Sequence, residues 1–157
     1  MTKTERKPVT GLKKLFFRAP LFLYRIGLGG LLGHRFLLLN HIGRKSGKPR
    51  QSVLEVVNHD KTTDTYYIAS GFGKKSDWYL NILAHPQVDI QVGWRKMVVT
   101  AVPLTPEQSG QAMVDYARRY PTAAKNLSKI LGFDVSSEEE YRAVGRDSIP
   151  FIALKPR

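Results

Sequence analysis

Cysteine is absent from the 157 residues. That excludes disulfide frameworks, thiolate nucleophiles and cysteine-ligated metals. Acid is scarce, with 13 Asp and Glu against 25 Lys and Arg, a formal net charge of +12. Such a surface favours anionic partners without choosing among them. Nucleic acid is disfavoured, because no helix-turn-helix signature, zinc-finger spacing or RNP-like motif accompanies the charge. The four histidines, at 34, 41, 59 and 85, lack metal-site spacing, so structural or surface roles are expected and no metal. No long apolar run is present either: Arg18, Arg25, His34 and Arg35 interrupt the apolar N-terminal region. This argues against a secretory signal and against a spanning helix. A cytoplasmic location follows as the default.

What remains is one domain's worth of chain with ordinary globular composition. Residues 1–9 read as a loose basic terminus. Over residues 10–26, Leu12, Leu15, Phe16, Leu23 and Ile26 mix with Lys13, Lys14, Arg18 and Arg25, which predicts a basic amphipathic helix interrupted at Pro20. It either packs one face on the domain or also touches the inner face of the cell membrane, a peripheral contact that basic flanks would suit. GLGGLLG, residues 27–33, breaks helical order, and residues 34–157 form the main domain.

Strands are expected at 36–42, 51–59 and 65–70, and a hairpin at 87–92 and 96–104 around GWR. Ser76 is placed to cap a short helix, DWYLNILAH, that His85 and Pro86 end. TPEQ at 105–108 carries the signs of a helix start, and that helix runs to Tyr120 before Pro121 redirects it. A second helical piece spans 122–131, SSEEEYRAVG is a further short helix, and residues 148–156 close as a strand. Consecutive strands joined by short turns predict an antiparallel sheet or barrel with helices outside it, not a doubly wound sheet.

The most pointed segment is GRKSGKPR, residues 43–50, between two strands. Gly43 and Gly47 allow a sharp turn that presents backbone N–H groups, and Ser46 adds a hydroxyl. Arg44 and Arg50 offer forked donors, and Lys45 and Lys48 add charge. The loop lacks the GxxxxGK[ST] pattern, so it is no Walker loop. It reads as an anion cradle or as a solvated cationic turn. A second loop, GFGKKS at 71–76, leads into a helix N-terminus, which also favours anions. Trp78 and Tyr79 place aromatic surface beside it. A planar ring with an anionic tail satisfies both loops, as a flavin-like cofactor has.

The order GRKSGKPR, YYIASGFG, DWYLNILAHPQVDIQVG and IPFIALKP resembles the deazaflavin (F420)-dependent nitroreductase and F420H2-dependent quinone reductase family, over roughly residues 20–157. The resemblance implies an α+β fold: a split β-barrel, FMN-binding-like and mostly antiparallel, with flanking helices. It implies an F420-dependent oxidoreductase that passes a hydride from the reduced deazaflavin to an electron-poor acceptor such as a quinone, nitroaromatic or activated alkene. It leans toward a monomer. The cofactor tail, with its phosphate, lactyl carboxylate and glutamates, would meet Arg44, Lys45, Ser46, Gly47, Lys48, Pro49 and Arg50. Ala69, Ser70, Gly71, Lys74, Lys75, Trp78, Tyr79 and Asn81 would complete the cofactor site, with a purely structural role as the alternative for Trp78 and Asn81.

Two departures bear on the acceptor side. The tyrosine cluster that follows Tyr120 and Pro121 in nitroimidazole reducers is replaced by TAAKNL. The lysine usual after Ala-Ser is replaced by Gly71 or Phe72. Tyr120 and Ser70 are the candidate proton donors, with ordinary hydroxyl pKa values unless perturbed, and solvent is the alternative. The competing readings are a non-catalytic F420- or lipid-binding split-barrel protein, or a relative that binds FMN or haem.

Overall fold

The computed structural model describes residues 2–3, 23–25, 27, 29–130 and 132–157. Most of the expected amphipathic helix at 10–26 lies outside them. Among the described residues there are nine strands: β1 (Thr2–Lys3), β2 (Phe36–Ile42), β3 (Pro49–Glu55), β4 (Asn58–Asp60), β5 (Thr65–Ala69), β6 (Gln87–Val92), β7 (Arg95–Pro103), β8 (Phe133–Asp134) and β9 (Phe151–Pro156). Helices follow from residue 77 onward: α1 (Asp77–Ala84), α2 (Pro106–Arg119), α3 (Pro121–Ile130) and α4 (Glu138–Asp147). A 3₁₀ turn, Gly29–Leu32, precedes β2.

Seven strands make one antiparallel sheet in the order β3-β2-β6-β7-β9-β5-β4. Its two edge strands, β3 and β4, are consecutive in the chain and only Val56 and Val57 separate them. The Val56 N–H still donates to Arg35 O on the β2 side, while the Val57 N–H donates to Tyr67 O on the β5 side. The chain changes partner within one residue. The sheet therefore closes on itself at that corner and stays split along β3, whose outer edge has no strand partner among the described residues. The single strand expected over 51–59 is thus two strands around a partner switch.

Alternation fills the barrel. Leu37, Leu39, Tyr66, Ile68, Val88, Ile90, Val92, Val99, Ile152 and Leu154 point inward, and Tyr79 and Ile82 of α1 join them. Residues of the opposite parity on β5, Tyr67 and Ala69, face a second cluster with Met113, Tyr116, Ala117, Val144 and Phe151 under α2 and α4. Two cores therefore sit on the two faces of one sheet wall, as period-2 alternation requires.

Local signals set the helix starts. Thr105 and Gln108 form a complete capping box on α2, with Pro106 at its first position, and Ser137 caps α4. The β6–β7 hairpin turns through Gly93, at φ 59°, and Trp94, with glycine supplying the left-handed position. Ser76 precedes α1 as expected, yet its side chain makes no capping bond.

Helices α2 and α4 cross closely through Gly110 and Gly145. A Cβ on Gly145 would lie 2.4 Å from Ser109 O and 2.7 Å from Met113 Cβ. Alanine normally gains about 1 kcal/mol of helix propensity over glycine. Here the clash is with a neighbouring backbone carbonyl that cannot rotate away, and overpacking costs about 1–3 kcal/mol. Gly145→Ala is expected to lower stability in a urea titration by up to about 2 kcal/mol net. A stability gain would show that the crossing has slack.

Candidate active site

The basic segment is the β2–β3 connection. Gly43 N donates to Lys48 O at 2.9 Å and Gly47 N to Gly43 O at 2.8 Å. Gly47 sits at φ 68°, a conformation that side chains resist. A Cβ on Gly43 would meet Ser46 Oγ at 2.5 Å. Ser46 Oγ in turn accepts from Lys48 N. The loop is compact, and its sequence is the reason.

Its four cations divide into two kinds. Arg44 turns inward: its guanidinium donates to Asp77 Oδ1 at 3.3 Å and to Asn81 Oδ1 at 3.0 Å, both on α1. Lys45, Lys48 and Arg50 are exposed and form no ion pair among the described residues. One cation holds the loop against the N-terminal turns of α1, and three are left for solvent or ligand.

Asn81 is the joint of this arrangement. It is buried. Its Oδ1 also accepts the Arg44 backbone N–H at 3.0 Å, and its Nδ2 lies 3.1 Å from His41 Nδ1. His41 Nε2 lies 3.1 Å from Ser52 Oγ. A neutral imidazole, accepting at Nδ1 and donating from Nε2, satisfies both contacts. Burial lowers the His41 pKa from 6.5 to about 4, with Arg50 adding to the fall and Asp77 opposing it. Asn81 thus braces the loop from within the fold.

The second loop follows β5. Ser70 is fully buried. Its backbone N–H donates to Pro150 O, and its hydroxyl donates to Gly73 O at 2.6 Å. That hydroxyl fastens the turn that carries Gly71, Phe72 and Gly73, with Gly73 at φ 91°. Its proton is engaged within the loop. Lys74 and Lys75 are exposed on the approach to α1. Trp78 is partly buried against the barrel core and Tyr79 is buried in it, their rings edge-on at 6.2 Å. Only the Trp78 ring keeps an outer face.

Tyr120 ends α2 and is 41% exposed. Its ring centroid is 5.7 Å from that of Tyr116, and the Arg35 guanidinium carbon stands 5.5 Å from it. Sequence reasoning missed what lies beneath. The Tyr116 hydroxyl is 3.0 Å from both oxygens of Glu55, and Arg35 is 3.8 Å from the same carboxyl. Burial raises the Glu55 pKa above the ordinary carboxylate range, against the opposing pull of Tyr116 and Arg35. Burial and Glu55 together push the Tyr116 hydroxyl up as well. A lone acid inside the apolar strand segment SVLEVV is the signal that could have drawn attention to Glu55.

The basic loop lies at one end of β3 and Glu55 at the other. The residues of β5 that face the second core, Tyr67 and Ala69, share it with Tyr116.

An antiparallel barrel split along one edge, with a cationic loop braced on a helix N-terminus, defines a split-barrel protein of the cofactor-binding class. The sequence pattern of the F420H(2)-dependent quinone reductases matches residues 25–129. F420H(2)-dependent quinone reductases of Mycobacterium tuberculosis strains H37Rv and CDC 1551 are each 34% identical over 144 residues, covering 86% of this chain and 86% of theirs. The chain belongs to the F420H(2)-dependent quinone reductase family. The solved F420-H2 dependent reductase FDR-A shares the fold at a TM-score of 0.53 and 24% identity, over 78% of this chain and 96% of its own. The heme storage protein HutZ of Vibrio cholerae shares it at a TM-score of 0.51 and 13% identity, over 86% of this chain and 90% of its own. The fold alone therefore does not select the cofactor. No helix among the described residues is long and apolar enough to cross a membrane.

Proposed function

We propose that the protein is an F420-dependent reductase that passes a hydride from the reduced deazaflavin to a quinone-type acceptor at the split of the barrel. The observation that carries this reading is the division of labour in the basic loop. Arg44 is spent on Asp77 and Asn81, which fixes the loop, and Lys45, Lys48 and Arg50 are left exposed. Three unpaired cations, the Ser46 hydroxyl and the nearby first turn of α1 form a donor set that fits a tail with several negative groups. A single phosphate would leave much of that set idle.

When bound, F420 supplies the hydride chemistry, and the protein supplies binding, orientation and electrostatics. Lys45, Lys48 and Arg50 hold the tail, with Lys74 and Lys75 beside them. Gly47 and Pro49 shape the loop. Ala69, Gly71 and the outer face of Trp78 flank the ring, while Ser70, Tyr79 and Asn81 keep those elements in place. The interfacial reading of residues 10–26 rests on their sequence alone.

Titration of the purified protein with F420 and, in parallel, FMN tests the cofactor. Tight F420 binding that weakens as salt rises is expected, because exposed charges are screened within about 10 Å at 0.1 M salt. FMN should bind weakly. Binding of FMN as tight as that of F420, or F420 binding indifferent to salt, would overturn the assignment of the loop.

A further inference from the structure

We infer that Glu55, set between Tyr116 and Arg35 beneath the ring of Tyr120, is the proton donor to the acceptor. The inference rests on the reading of the chain as an F420-dependent quinone reductase and adds the acid that this reading lacks. Of the two hydroxyls considered from the sequence, that of Ser70 is donated to Gly73 O in a fully buried turn. Tyr120 carries its hydroxyl on an exposed ring, with no carboxylate or imidazole hydrogen-bonded to it among the described residues to draw its proton.

The geometry of the chain puts Glu55 at the reaction end of the split. In the β4–β5 ladder, Asn58 pairs with Tyr67 and Asp60 with Thr65. Ala69 of β5 packs against the cluster that contains Tyr116, whose hydroxyl lies 3.0 Å from both Glu55 oxygens, and β3 and β5 are in contact. Arg50 and Glu55 lie five residues apart on β3, about 17 Å of extended chain. That odd spacing turns their side chains to opposite faces of β3, so it is the ring end of a ligand, seated near Ala69 at the cluster that includes Tyr116, that reaches Glu55. The Glu55 side chain is 26% exposed, so it is sheltered yet reachable. Tyr120 offers an exposed aromatic face over the same cluster, suited to a flat acceptor.

The charged and titratable groups facing the carboxyl are Tyr116 from α2, Tyr120 from the end of α2, and Arg35 from the segment before β2. Burial holds the proton on Glu55 to higher pH than usual, while Tyr116 and Arg35 stabilise the carboxylate once the proton leaves. That is the environment of a general acid rather than of a structural ion pair.

The step balances as follows. The quinone receives two electrons as a hydride from the reduced deazaflavin, which is the reductant and releases its remaining ring proton to solvent. The O–H bond of Glu55 breaks as an O–H bond forms on a quinone carbonyl oxygen. The carboxylate accepts the Tyr116 hydroxyl hydrogen bond and regains a proton from solvent on its exposed side.

The test is Glu55→Gln in the full chain, assayed with reduced F420 and a water-soluble naphthoquinone. Glutamine keeps the volume and an oxygen for Tyr116 but carries no acidic proton. Expected are a kcat lower by about 10²-fold and F420 affinity within twofold of wild type. The fall in rate with rising pH should also be lost. A readout free of turnover accompanies it: carbon-13 NMR of glutamate-labelled protein should show one carboxyl titrating above the rest, missing in the variant. Tyr116→Phe removes the bond that lowers the Glu55 pKa, so the descending limb of its kcat profile should move to higher pH. A Glu55→Gln enzyme that binds F420 normally and turns over within threefold of wild type would overturn this role alone. A wild-type protein that binds no F420 would overturn the parent reading, and this one with it.

Discussion

Replacing Lys45, Lys48 and Arg50 together with alanine should weaken F420 binding by two to three orders of magnitude and FMN binding by no more than tenfold. The size follows from the exposed setting. A charge-assisted bond to a phosphate or carboxylate at such a site is worth about 1–1.5 kcal/mol, above a plain surface ion pair because the donors converge on one ligand. Three of them come to about 3–4 kcal/mol, and each 1.4 kcal/mol is tenfold in affinity. FMN has a single phosphate and can lose only part of that. The triple variant should fold as the wild type does, since none of the three cations forms an ion pair among the described residues and the turn is held by Gly43, Ser46 and Gly47. Isothermal titration against both cofactors reads the difference directly. Equal losses for F420 and FMN would mean that the loop senses one phosphate, and the polyanionic tail would need another home.

Arg44→Ala is the informative contrast. It removes a cation from the same motif, but one that is bonded to α1. Its effect should therefore fall on the order of the loop, lowering the affinity for both cofactors together. In sequence, the four cations of GRKSGKPR look alike. What separates them is a contact with Asp77 and Asn81, more than thirty residues away, and no local pattern encodes which cation that contact claims.

The same distinction runs through the fold. The capping box of α2 at Thr105 and Gln108, the redirection at Pro121 and the Gly-Trp hairpin turn were all legible, because each is settled by a few adjacent residues. The alternation of QVDIQV likewise showed which side chains enter the barrel. The break at Val56 and Val57 was not legible: both are β-branched and apolar, and period-2 alternation continues through them. Only the exchange of β2 for β5 as partner divides the strand. Ser76 fills the cap position of α1, yet its side chain makes no capping bond. For Asn81 the sequence left a structural role and a ligand contact both open; it shares the buried face of α1 with Tyr79 and Ile82, where an unpaired carboxamide is costly. Its neighbours across the chain, His41 and Arg44, are what make it affordable there. The family's motif marks this asparagine without stating whether it serves ligand or fold, and the hydrogen bonds favour the fold.

That assignment yields the second large effect. Asn81→Ala should cost about 3–4 kcal/mol of folding stability, because it strands the Arg44 backbone N–H and the Nδ1 of a buried His41, each unpaired group costing about 1–3 kcal/mol. His41 adds a pH signature. Its folded pKa of about 4 lies below its unfolded value of 6.5, so the folded state binds the proton more weakly. This contribution is complete above pH 6.5 and is lost as pH falls toward 4. Between pH 7 and pH 5 the wild type should lose about 2 kcal/mol by this route. The depressed carboxylates Asp64, Glu138 and Asp147 act only lower, as pH falls below the ordinary carboxylate range. Glu55, with its raised pKa, works in the opposite direction, losing its contribution as pH rises through its folded value. Asn81→Asp should reverse the histidine's behaviour. A carboxylate at that position can still accept from Arg44 but has no proton to give Nδ1, so His41 must take one itself, and its pKa should climb from about 4 to above 6.5. Histidine ring NMR across pH 4 to 8 measures this without any cofactor. If the His41 resonance titrates at the same pH in wild type and Asn81→Asp, the two side chains do not share the hydrogen bond that joins loop, strand and helix, and Asn81 must be returned to the ligand side of the site.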